Sequence, residues 1–195
     1  RVFIPARVGR RYVVGCDPAE GNPSSNDTGI CILDEATGET CAVMQGKIEP
    51  ATTAVYIDRI GQYYNNADVM VFRNNHGHAV ILKLTEMGNL ILINGGDGKP
   101  GYQENPRTKT YMFDVAADTF LNDGCMVYDF STYSQLTSIE GNTLSAPEGE
   151  LDDMAFAFIA ALMGRLLRTA RPAKQDNYLY DEDDRYQEDR NELVA

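Results

Sequence analysis

Three short runs of apolar and β-branched residues open the chain, with only turns between them. Residues 11–17 (RYVVGCD) and 28–33 (TGICIL) are the first two, and residues 40–48 return after a loop, 34–39 (DEATGE), that reads as a hairpin. Runs this short, bounded by Gly, Asn and Asp, read as strands, and short connections make successive strands antiparallel. After Pro50 the period changes: residues 51–64 carry Val55, Ile57, Ile60 and Tyr64 at mostly helical spacing, and residues 68–72 (DVMVF) form a strand again. There follow a helix over 77–87 stopped by Gly88, a fully buried strand candidate at 90–93 (LILI) and a Gly- and Pro-rich loop over 94–106. A helix over 108–122, a short strand at 125–128 and a small helix at 131–137 come next. The last element is a helix over 151–168, with acids in its first turn and cations near its end, as the helix dipole favours. Hairpin strands, then alternating helix and strand, then a closing helix predict an α/β fold: a mixed sheet flanked by helices.

At 195 residues and 43% hydrophobic composition, the chain can build one core without disulfides or a structural metal. No run approaches the ~18 to 20 apolar residues of a membrane span, and the start, RVFIP, lacks a signal-peptide apolar core, so neither membrane insertion nor secretion is expected. Cys16, Cys31, Cys41 and Cys125 stand singly with no CxxC pair, and read as reduced core thiols of a cytosolic protein rather than zinc ligands. The net charge is −12, and residues 176–195, with eight acids and two arginines, hold half of it. That stretch reads as a solvated acidic extension. Cations cluster at Arg7, Arg10 and Arg11, at Lys99, Arg107 and Lys109, and at Arg165, Arg168, Arg171 and Lys174, which leaves room for a weak nucleic-acid surface but not for strong autonomous binding.

Chemistry concentrates at three places. Asp17 ends the first strand in GCDPAEG, where the following turn holds a carboxylate at the rim of the sheet. A lone strand-end Asp serves equally as a turn residue. The hairpin, however, brings Asp27 to the same sheet edge, although Asp27 can also close an Asx turn in NDTG. The second place is ELDD, 150–153, at the start of the last helix, where acids also suit the dipole. Residues 153, 157, 160 and 164 share one helix face and read Asp, Ala, Ala, Gly, a stripe small enough to let the helix approach the sheet and carry Asp153 towards Asp17. Two carboxylates so close need a cation or a proton to offset them, and the arrangement predicts Mg²⁺ or Mn²⁺. The third place is RNNHGH, 73–78, between a strand and a helix, where Asn74, Asn75 and His76 can cap the helix, bind phosphate or orient water. The chain's two histidines, His76 and His78, both lie there, so a Ser-His-Asp or zinc-histidine mechanism would have to use it.

In order, VVGCDPAEG (13–21), NDTGICILDEATGE (26–39), RNNHGHAV (73–80), the Thr108-Lys109 pair and ELDDMAFA (150–157) resemble the C-terminal nuclease domain of the large terminase subunit of tailed bacteriophages. The resemblance runs over residues 11–170 and implies a ribonuclease H-like fold there, with residues 1–10 as a linker and 171–195 as the acidic tail. It implies a divalent-metal endonuclease that cuts concatemeric viral DNA by two-metal phosphodiester hydrolysis in the host cell cytoplasm. The partners it implies are double-stranded DNA, a terminase ATPase domain, the small terminase subunit and the portal, with no membrane. It also implies that the chain is a fragment, since the family's motor has an ATPase domain and no GxxxxGK[ST] motif occurs here. By position, Asp17 is the metal-bridging acid and Asp152-Asp153 supply the ligand on the last helix, with Asp27 a further candidate; Arg73, Arg107 and Lys109 are candidates for phosphates. The family normally has an acid immediately before Arg-Asn-Asn, and here that position is Phe72, which is expected to weaken the second metal site and slow cleavage. Asp68, at the other end of the same strand, is too far away to substitute.

Three other readings compete. A catalytically silent DNA-binding or motor-docking module of the same fold takes Phe72 at face value. A Holliday-junction resolvase-like nuclease fits the acids but not the Asn-Asn-His-Gly segment. A sugar-kinase-type ATPase needs two such domains and Gly-rich phosphate loops, for which this chain is too short.

Overall fold

A computed structural model describes residues 1–169; the acidic stretch 171–195 lies outside the described residues. In chain order the elements are β1 (Tyr12–Asp17), β2 (Thr28–Asp34), β3 (Thr40–Gly46), α1 (Pro50–Tyr63), β4 (Asp68–Val71), α2 (Gly77–Met87), α3 (Pro106–Leu121), α4 (Phe130–Ser138) and α5 (Asp153–Thr169). The sheet order is β3-β2-β1-β4, with β1–β2 and β2–β3 antiparallel and β1–β4 parallel. This is the mixed sheet that the hairpins and the α1 crossover dictate.

Strand residues alternate between two cores. Tyr12, Val14 and Cys16 join Ile57 of α1 and Val80 and Leu84 of α2, whereas Val13, Cys31, Leu33 and Met70 join α5. Burial on both faces is why these strands read as nearly continuous apolar runs. The cysteines are free thiols, and burial holds those of Cys16 and Cys31 well above their usual range.

The helix α5 is buried without a break from residue 153 to 164. Its small face lies directly on the sheet, as the Asp-Ala-Ala-Gly stripe predicts. A Cβ at Gly15 would fall 2.2 Å from the backbone nitrogen of Ala161, and one at Gly29 would fall 2.4 Å from the carbonyl oxygen of Asp153. These two glycines set the height of α5 above β1 and β2, and so deliver Asp153 to the end of β1 that bears Asp17.

Two expected strands are only bridges. Residues 90–93 add a parallel bridge from Leu92 to Val69 at the outer side of β4, and Ile91 is exposed. Open on one side, this run is not the fully buried strand its composition suggests. Residues 125–128 contribute a single bridge between Met126 and Glu39. The loop 94–106 is more than a connector, because Tyr102 bridges Phe72 and extends the sheet past the end of β4. At the start of the chain, Val2 bridges Ala42 and the amides of Phe3 and Ile4 donate to the Cys41 carbonyl, so these residues run beside β3.

Several clustered cations have local partners. Arg10 pairs with Asp34, Arg11 and Arg168 with Glu35, and Arg168 also with Asp68, while Arg165 donates to the carbonyls of Glu35, Ala36 and Gly124. They tie the end of α5 to the β2–β3 turn, at the opposite end of β1 from Asp17. Among the described residues, no helix is long and apolar enough to cross a membrane.

Candidate metal centre at the strand ends

Register puts the site where β1 stops. Asp17 pairs with Gly29 on one side, and on the other the Phe72 amide donates to the Cys16 carbonyl at 3.0 Å. Pro18 follows Asp17 and cannot donate to the ladder, so the chain leaves the sheet. The loop that departs is pinned by Thr28, whose hydroxyl accepts from the Ala19 amide and donates to the Ile48 carbonyl, each at 3.0 Å. Asn22 closes the loop on itself by accepting from the amides of Ser24 and Ser25. Asp17 therefore stands on a rigid support.

Asp153 arrives from the first turn of α5. The orphan amides of Met154 and Ala155 donate to Oε1 of Gln135, at 2.7 and 3.3 Å, so α4 caps α5 across the fold. This partnership has no signal in the local sequence. Asp152 and Asp153, adjacent in sequence, diverge: Asp152 Oδ2 accepts the Ala146 amide at 3.0 Å, whereas Asp153 is 2% exposed and its Oδ2 has no hydrogen-bond partner among the described residues. A buried carboxylate oxygen with no donor is costly unless something else meets it.

Asp17, Asp27 and Asp153 line one cleft of about 230 Å³ with Glu20, Asn75 and His76. Asp27 also pairs with Lys47 at 2.9 Å. Burial first, and then the charges of Asp153, Glu104 and Asp152, push the Asp17 carboxyl well above the usual carboxylate range. Asp153 is pushed up to about 6, by burial first and then by Asp152 and Asp27. Both shifts say that the ionised pair lacks enough positive charge nearby. Among the described residues no group of three or more His, Cys, Asp or Glu side chains is placed to hold a metal ion, so the nucleus of the site is the Asp17/Asp153 pair. Its chemistry fits a hard divalent cation, which would offset both charges and meet the unpartnered oxygen of Asp153.

The remaining expected residues take distinct places. Asn74 does not cap α2. The N-cap position is His76, without a side-chain cap bond, and the Asn74 side chain instead accepts the Glu104 amide and donates to the Glu104 carbonyl, both at 2.8 Å. Asn75 adopts a left-handed φ of 48° and lines the cleft beside His76. Arg73 is 7% exposed and its guanidinium pairs with Asp97 and donates to Gln103 and the Pro100 carbonyl, which makes it a fastener of the 97–103 loop rather than an open phosphate contact. Lys109 donates to Ser145 at 2.8 Å, lies 3.6 Å from Glu104 and 5.0 Å from the Phe156 ring centroid, and pulls the Asp17 carboxyl down. Arg107 is exposed on the first turn of α3. Phe72 is buried, edge-on to Tyr102 and Phe156 with both ring centroids at 6.0 Å, so the position beside Asp17 belongs to the core. Asp68, bound to Arg168 at 2.6 Å, is at the far end of β4.

No family model matches the sequence, and no curated protein matches it. Solved structures do match. The large terminase nuclease from thermophilic phage G20c superimposes with TM-score 0.69 in its cobalt-bound form and 0.68 in its magnesium-bound form, in each case at 15% identity over 83% of this chain and 85% of that one. The large terminase nuclease domain of Thermus phage P74-26 gives a TM-score of 0.66 at 15% identity over 82% of both chains. The K428A nuclease domain of the large terminase subunit of bacterial virus Sf6, with manganese and β-thujaplicinol, gives 0.55 at 12% identity over 84% of this chain and 89% of that one. With its sheet order, its closing helix and this superposition over more than four-fifths of its length, the chain has the ribonuclease H-like fold of large terminase nuclease domains.

Proposed function

We propose that this chain is the divalent-metal-dependent DNA endonuclease domain of a viral packaging terminase, acting in the host cytoplasm on concatemeric genomic DNA. The observation that carries the reading is the buried, unpartnered Oδ2 of Asp153 beside Asp17, a carboxylate pair short of positive charge. Similarity to nucleases with bound magnesium or manganese supports the choice of cation. Asp17 and Asp153 would hold it, with Asp27 at the rim of the same cleft. A bound cation supplies neutralisation and polarisation of a phosphodiester.

The protein's own groups do the rest. Asp152 fixes the start of α5 through the Ala146 amide, Asn75 and His76 line the cleft on its α2 side, and Arg107 and Lys109 offer cations to backbone phosphates. The implied partners are duplex DNA, a terminase ATPase domain, the small terminase subunit and the portal.

Nicking of supercoiled plasmid in Mg²⁺, Mn²⁺ or EDTA tests the proposal, comparing this chain with Asp17→Ala and Phe72→Glu. The expected result is metal-dependent nicking that Asp17→Ala abolishes. The burial of Phe72 where an acid would flank Asp17 favours one second reading, a DNA-binding or motor-docking module without catalysis. Silence in all versions, with Mn²⁺ present, would select it.

A further inference from the structure

Asp17 belongs to a row of residues that crosses the sheet. It pairs with Gly29 of β2, and Gly29 pairs with Gln45 of β3. Paired residues share a face, so Gln45 stands on the α5 side with Asp17, about 10 Å away at ~4.8 Å per strand. Gly29 between them carries no side chain, and a Cβ there would fall 2.4 Å from the Asp153 carbonyl oxygen. The row therefore presents a carboxylate, the start of α5 and a carboxamide in order.

Gln45 lines a second cavity, of about 410 Å³, and Asp27 lines both this cavity and the cleft of Asp17 and Asp153, so the two spaces adjoin. Apolar walls come from Val43 of β3 and from Leu151 and Met154 at the start of α5. Two neutral polar groups stand among them. The Ser131 hydroxyl of α4 donates to Gln45 Oε1 at 3.5 Å, and Gln45 Nε2 makes no hydrogen bond among the described residues. The charged groups are already engaged: Asp129 accepts the Thr132 amide and pairs with Arg1 at 3.1 Å, and Asp27 pairs with Lys47. A phosphate entering here would meet two carboxylates and no uncommitted cation among the described lining residues, whereas a flat, uncharged group with a hydrogen-bonding edge meets what it needs. The space equals a cube of about 7 Å a side, enough for one base but not for a duplex, whose major groove alone is ~12 Å wide.

From this geometry we propose that the cavity is a subsite for one unstacked nucleobase of the DNA strand at the cleft. Gln45 and Ser131 hydrogen-bond the edge of the base, and Val43, Leu151 and Met154 cover its faces. At ~3.4 Å per nucleotide, the base lies within about three nucleotides of the phosphate at Asp17. The inference rests on the proposed nuclease function and names a part of the substrate that the chain grips beside the cut.

A short duplex with one 2-aminopurine in a mismatched pair tests this in EDTA at low salt, without turnover. A mismatch lowers the cost of extruding the base, and 2-aminopurine brightens when it leaves the stack. The proteins are the full chain as wild type, Gln45→Ala and Leu151→Ala, each with its melting temperature recorded. Wild type is expected to raise the fluorescence and to bind the mismatched duplex more tightly than the matched one by about fivefold or more, the worth of one good hydrogen-bonded base edge. Gln45→Ala should lose both effects. A folded Gln45→Ala that keeps them, or a wild type that shows neither, overturns the assignment. If Gln45→Ala does not fold, Leu151→Ala decides: that side chain is 45% exposed, and an unchanged response there overturns the assignment. Nicking in Mn²⁺ with the mismatch walked along the duplex separates the two readings. Enhancement at one offset from the nick, lost in Gln45→Ala, supports both; nicking indifferent to the mismatch overturns the subsite and leaves the nuclease standing. Base capture without any metal-dependent nicking supports the subsite and overturns the nuclease.

Discussion

Replacing Asp153 by Asn should make the metal-free protein more stable at neutral pH, the reverse of what removing a catalytic acid usually suggests. Asp153 titrates at about 6 in the folded protein and near 4 when unfolded. With the folded value raised, the native state binds the extra proton, so stability falls as pH rises from about 4 to 6 and the deficit is complete above that window. A shift of about two units corresponds to about 3 kcal/mol. Relaxation of the cleft and entry of water reduce this, which leaves about 2 kcal/mol. Asn keeps the shape, and its amide has the Asp17 and Asp27 carboxylates of the same cleft as acceptors. In EDTA at pH 8, Asp153→Asn should therefore melt about 4 to 8 °C above wild type, and the gap should close by pH 4. Saturating Mn²⁺ at ~100 times its Kd should reverse the order, adding about 2.7 kcal/mol to wild type and little to the variant. Thermal melts at the two pH values, with and without Mn²⁺, read all of this. A variant less stable than wild type in EDTA at pH 8, or a gap that does not depend on pH, refutes the account of Asp153 as a carboxylate held for a cation.

Further outcomes follow from the same geometry. Gly15→Ala, whose Cβ would meet the Ala161 backbone nitrogen at 2.2 Å, should cost about 3 kcal/mol or prevent folding, as urea unfolding will register. Gln135→Ala strips the amides of Met154 and Ala155 of their shared acceptor and should cost about 1 to 2 kcal/mol by the same assay. Asn74→Ala should release the loop at Glu104, speeding amide hydrogen exchange at residues 103–105 and lowering stability by about 1 to 3 kcal/mol. Duplex DNA held through Arg107 and Lys109 alone should lose about tenfold in affinity between ~50 and ~200 mM salt, measurable by fluorescence anisotropy. A salt-independent affinity would move the DNA contact elsewhere.

Legibility in the sequence tracked how local the cause was. The three opening strands and α5 are readable because short apolar runs, turn residues and the small stripe Ala157, Ala160, Gly164 are written in nearby residues. Asp17 and Asp153 could be paired from sequence because strand end and stripe each fix one geometric parameter, and their lining of one cleft agrees with that. The runs at 90–93 and 125–128 misled because an apolar run cannot say how much of a sheet edge it will find; each found single bridges. From sequence a cap, a phosphate contact and a water-orienting role are all open to Asn74, whereas its partner lies 30 residues away on a loop whose return to β4 no local pattern announces. Glu104 and Gln135 were invisible for the same reason. Phe72 was legible as an anomaly, and its cause, an aromatic cluster with Tyr102 and Phe156, only in three dimensions.

The central claim is that the carboxylates brought together at the ends of β1 and α5 hold a divalent cation. Anomalous diffraction from crystals of the chain grown with Mn²⁺ tests it most directly. The account predicts a manganese peak coordinated by Asp17 and by Asp153 Oδ2. Full-occupancy manganese elsewhere, with Asp153 Oδ2 still buried and without a ligand, would contradict it.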